Sequence, residues 1–67
     1  MTKKDYERIA LAFQDCYPTG TDEKLAQWKA CRTAVARQLK ADNYRFVQGR
    51  FEEACNPGAN VKARHGY

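Results

Sequence analysis

Apolar side chains recur at three- and four-residue steps near the start of the chain, where Tyr6, Ile9, Ala10, Phe13 and then Cys16 or Tyr17 fall on one face. This spacing predicts a first helix beginning near Lys3, with Thr2 and Asp5 placed as a capping box that carries Asp instead of Glu. Pro18 and Gly20 end it. A second helix is predicted from Thr21, a good N-cap, to about Ala41, with Asp22 and Glu23 in the first turn where acids favour the positive end of the helix dipole. Its expected inward stripe is Leu25, Trp28, Cys31, Val35 and Leu39, and Lys29, Arg37 and Lys40 form a basic outer face. Arg32 lies close to that stripe, so its stem is expected to be partly buried with its head in a salt bridge or in solvent.

The third helix has two possible starts. Asp42 or Asn43 would cap an early one. A start near Gln48 would pair Phe46, before the cap, with Phe51 inside the helix as a hydrophobic staple. Either start turns Val47, Phe51, Ala54 and Cys55 inward, and Asn56-Pro57-Gly58 then stops the helix. The predicted fold is all-α, a three-helix bundle over residues 1–57 whose core joins Phe13, Trp28, Val35, Leu39 and Phe51. Residues 58–67 contain only Val61 and Tyr67 as sizeable apolar groups, and are expected to form a flexible basic tail dispensable for folding.

A chain of 67 residues, 43% hydrophobic and 30% charged, has a globular composition but a small core. It leaves little room for an enclosed substrate pocket. All eight acids precede residue 58, and Lys62 and Arg64 supply two of the four net positive charges, so the helical part is only mildly basic. The uncharged run from Ile9 to Gln14 is far too short to span a bilayer, and Lys3-Lys4 is followed at once by acids, so a cytoplasmic protein without membrane contact is expected.

Catalytic chemistry finds no foothold. The single histidine, His65, falls in the expected tail, and Asp22-Glu23 and Glu52-Glu53 are helix neighbours pointing about 100° apart, read as solvated faces. Glycines 20, 49, 58 and 66 are isolated, so no phosphate-cradling loop is present. Cys16, Cys31 and Cys55 lack a C-x-x-C pair and are expected to be reduced, buried and metal-free, since a Cys3His zinc site would require the tail to fold back onto the bundle. The chain is therefore expected not to be an enzyme and to carry no cofactor.

Two binding classes remain in addition to self-association as a structural component. Tyr6, Tyr17 and Tyr44 are candidates for the rim of an exposed surface that binds a protein partner, which is the first expectation. A nucleic acid comes second: helices two and three can be drawn as a helix-turn-helix with Arg45, Gln48 and Arg50 facing DNA, supplemented by Lys29, Arg37, Lys40, Lys62 and Arg64. Glu52 and Glu53 on the same short helix would repel phosphates, so any such binding is expected to be weak, sequence-independent and salt-sensitive.

The opening Lys3-Lys4-Asp5-Tyr6-Glu7-Arg8-Ile9-Ala10 and the closing Asp42-Asn43-Tyr44-Arg45-Phe46 with Arg50-Phe51-Glu52-Glu53-Ala54-Cys55 resemble a group of small helical proteins encoded by tailed bacteriophages, including those of actinobacteria. In that group the closing segment usually reads Asp-Asn-Pro-Arg-Phe-Asp, followed by Arg-Phe and Ala-Cys. Here Tyr44 stands for the proline and Val47 for the aspartate, which removes a good cap for a late third helix. The resemblance covers both ends of residues 3–55, implies a phage origin and a bacterial host cytoplasm, and transfers no activity.

Overall fold

A computed structural model of the chain describes residues 2–62 and residue 67. Three helices follow one another, α1 (Lys3–Asp15), α2 (Asp22–Asp42) and α3 (Gln48–Ala54), and no strand occurs among the described residues. The fold is the expected small all-α three-helix arrangement. At about 1.5 Å rise per residue the 21 residues of α2 span roughly 32 Å, close to the 34 Å long dimension of the molecule. No helix among the described residues is long and apolar enough to cross a membrane.

Both long helices start where their caps predict. The Thr2 amide donates to the Asp5 carboxylate at 2.9 Å while the Asp5 amide donates to the Thr2 hydroxyl, closing the capping box. That backbone hydrogen bond holds the Asp5 carboxyl below its usual range. Thr21 caps α2 through the Lys24 amide.

α3 takes the late start. Val47 is its N-cap and makes no side-chain cap bond, so the end lacks the hydrogen bond an aspartate would give. The staple replaces it: Phe46 and Phe51, both fully buried, pack with ring centroids 5.6 Å apart. A helix of only seven residues is not stable by itself, and burial against both other helices supports it.

The core gathers Tyr6, Trp28, Leu39, Phe46 and Phe51, with Phe13 and Val35 partly buried against it, so the five expected core residues do share one cluster. Three inward assignments are corrected. Val47 is 41% exposed because the staple draws Phe46 inward in its place. Cys16 and Cys31 are exposed, and only Cys55 is the buried cysteine expected of all three. On α2 the buried line passes through Ala36 and the half-buried Arg32 instead of Cys31.

Arg32 explains that shift. Its guanidinium carbon lies 5.3 Å from the Trp28 ring centroid, and its Nε stands 4.0 Å from Glu52 Oε1 without a hydrogen bond. Thr33 also donates to that carboxylate, at 3.3 Å. Glu52 is therefore half-buried and engaged, whereas Glu53 is exposed as expected.

The closing segment differs from the expected loose tail. Asn56-Pro57-Gly58-Ala59 form a reversal, with the Ala59 amide bonded to the Asn56 carbonyl at 3.1 Å and Gly58 at φ 79°, a left-handed conformation suited to glycine after proline in a type II turn. Gln14 on α1 clamps the reversal, its side-chain amide donating to the carbonyls of Ala54 (2.7 Å) and Ala59 (3.0 Å). Val61 then packs on the core and Tyr67 is buried in it, edge-on to Tyr6 and Phe51, with its hydroxyl donating to the Val61 carbonyl.

Candidate functional site

Two surfaces stand out from the ordinary solvated exterior. One is the corner between α2 and α3, residues 43–47. Asn43 shapes it: its carbonyl accepts from the Phe46 amide at 2.9 Å and its side-chain oxygen from the Arg45 amide at 3.1 Å. Lys40 reaches forward from the last turn of α2 and donates to the carbonyls of Tyr44 and Phe46, the latter at 2.9 Å. Phe46, pinned in the core, fixes the inner side.

This anchoring pushes Tyr44 outward to 76% exposure, beside the exposed Val47. The Arg45 guanidinium lies over the Tyr44 ring at 5.6 Å, and its Nε donates to the Tyr44 hydroxyl at 3.3 Å. An exposed aromatic braced by an arginine on a tied loop is the usual composition of an interface anchor.

The expected contact residues divide among several places. Lys29 and Arg37 are exposed along α2, and Arg50 is exposed on α3. Lys40 faces its own loop, Arg45 lies in the connection and not on α3, and Gln48 is half-buried at the first position of α3. Lys62 is exposed after the reversal, far along the chain from the others. Arg64 and His65 lie outside the described residues. Of the three tyrosines proposed for a rim, Tyr6 is core, Tyr17 packs on Trp28 at 4.9 Å, and Tyr44 alone stands free of the bundle.

The second surface is a cleft between α1 and α2 of about 360 Å³, to which α3 contributes no residue. α3 packs on both long helices, and Trp28 of α2 contacts Phe13 of α1 and Tyr17 just after that helix. The Trp28 indole N–H donates to the Phe13 carbonyl at 2.9 Å and so closes the floor. Ala12 and Cys16 line the α1 wall, Lys24, Gln27 and Cys31 the α2 wall. The cleft is open, and its volume reaches the lower end of small-ligand sites, which the chain length had not suggested. Nothing in the sequence pointed to it, because its two walls lie on different helices.

The cysteines do not gather into a metal site: no cluster of three or more metal-ligating side chains occurs among the described residues. Burial pushes the Cys55 thiol up to about 11 from an ordinary 9.0. A disulfide reagent is therefore expected to modify Cys16 and Cys31 in the native protein and all three thiols once it is unfolded, as counted by intact mass. Native Cys55 also keeps its proton at pH values where the unfolded chain has lost it. Stability should accordingly fall as pH rises from 9.0 through about 11, and burial of Tyr67 adds in the same direction.

No family model matches this sequence, and no curated protein or solved structure matches it.

Proposed function

We propose that this chain is a non-enzymatic bacteriophage accessory protein, acting in the host cytoplasm by binding a protein partner through the exposed end of α2 and the corner that follows it. The phage setting rests on the resemblance at both ends of residues 3–55. The binding role is supported above all by Tyr44, 76% exposed although its neighbours are tied down. Large aromatic and arginine side chains dominate binding energy where they are central to an interface. Lys40 and Asn43 hold the loop before any partner arrives, which reduces the ordering cost of association.

The nucleic-acid reading ranks below this one. Lys40 is turned into its own loop and α3 is two turns long, so a basic recognition helix is not supported.

Capture from a lysate of phage-infected bacteria, repeated with Tyr44→Ala and Arg45→Ala, tests the proposal. Both changes are at exposed positions and should leave the melting temperature nearly unchanged. The captured partner is expected to bind Tyr44→Ala about tenfold more weakly or worse, the effect of losing an anchor worth more than about 1.4 kcal/mol. Equal capture by wild type and both variants would move the interface elsewhere.

A further inference from the structure

We infer that the α1/α2 cleft binds a small amphipathic anion, a medium-chain aliphatic carboxylate, with its chain against Phe13 and Trp28 and its head at Lys24. This goes beyond the partner-binding proposal, because the cleft and the Tyr44 corner share no residue.

The floor is aromatic and offers no spare donor, since the Trp28 indole N–H is already bonded to the Phe13 carbonyl. Along the walls Ala12, Cys16 and Cys31 are small, so they leave width for a flexible chain. The Gln27 side-chain amide donates to Cys31 Sγ at 3.5 Å. Lys24 is the one charged residue of the lining, and its ammonium makes no hydrogen bond or ion pair with any described residue. An apolar trough with a single cation at its edge complements a ligand with an apolar body and one negative end.

The volume argues against a larger occupant. A stable interface buries roughly 800 Å² on each partner, about one sixth of this chain's 4852 Å² surface. The trough is lined by eight residues, against roughly 20–30 on each side of such an interface, while its volume of about 360 Å³ suits one drug-sized molecule or smaller.

Trp28 is the only tryptophan and lies in the cleft, so its fluorescence reports occupancy directly. The test is titration of the full chain with decanoate, decanol and decylamine below their aggregation limits, and with octanoate for chain length. Saturable binding is expected, decanoate tightest and decylamine weakest, with roughly two- to fourfold gain for each methylene between octanoate and decanoate. Lys24→Gln should weaken decanoate by about two- to fivefold and leave decanol unchanged. Ala12→Phe, at an exposed position, should fill the trough and abolish the signal; if circular dichroism shows it misfolded, Cys31→Phe replaces it. Equal affinity for decylamine, no saturable response, or binding that survives the filled trough would overturn the assignment. So would a wild-type dimer in sedimentation that Ala12→Phe converts to monomer, or loss of a captured protein in that variant.

Discussion

Truncating Phe51 to alanine is expected to lower stability by about 3–5 kcal/mol. A chain of 67 residues has in total roughly 3–10 kcal/mol, so the variant should be largely or wholly unfolded at room temperature. The size of the effect follows from position. Phe51 is fully buried, and its ring meets Phe46 at 5.6 Å, Tyr67 at 6.2 Å and Phe13 at 6.3 Å, so it joins α1, the corner and the closing segment at one point. It is also the inner half of the staple that stands in for a polar cap on α3. Urea unfolding followed by circular dichroism measures the loss, with Phe51→Leu, a much smaller reduction in volume, as the comparison expected to lose less. A deficit below about 1 kcal/mol would mean that the ring is not a keystone of the core.

The second large effect is expected at Tyr67, in the closing segment. Tyr67→Ala should reduce stability by about 2–4 kcal/mol, a fall in melting temperature on the order of 10–20 °C for a domain of this size. Tyr67 has 9% of its surface exposed and fills the edge positions of two buried rings, Tyr6 and Phe51. Tyr67→Phe separates the ring from its hydroxyl: it keeps the packing and loses only the hydrogen bond to the Val61 carbonyl, worth about 1 kcal/mol. A chain ending at Gly58 should lose at least as much stability as Tyr67→Ala, since Val61 goes as well. An unchanged melting temperature in the truncated chain would restore the dispensable tail read from its composition.

The candidate surfaces were legible to unequal degrees. Tyr44 and Arg45 belonged to the expected contact set, but the sequence offered three tyrosines as equals. Only packing separated them: Tyr6 entered the core at 4% exposure, Tyr17 covered Trp28, and the Lys40 and Asn43 hydrogen bonds turned Tyr44 outward. The cleft had no counterpart in the sequence, because its two walls lie on different helices.

What the sequence determined by itself was whatever rests on contacts within a few residues. Thr2 with Asp5 and Thr21 with the Lys24 amide set the starts of α1 and α2, and Phe46 with Phe51 made the late start of α3 possible without a polar cap. The tertiary structure decided which side of each helix is covered, and by what. Helical periodicity defines an apolar arc but not its edges, so Cys16 and Cys31 read as inward and emerged exposed where the short α3 left them uncovered, and Val47 emerged exposed because Phe46 took the inward place. Asn56-Pro57-Gly58 marked the end of a helix equally well as a stop or as a reversal. Gln14, some forty residues earlier, and the slot between Tyr6 and Phe51 decided for reversal, because a carbonyl pair to bond and apolar surface to cover exist only after the helices have packed.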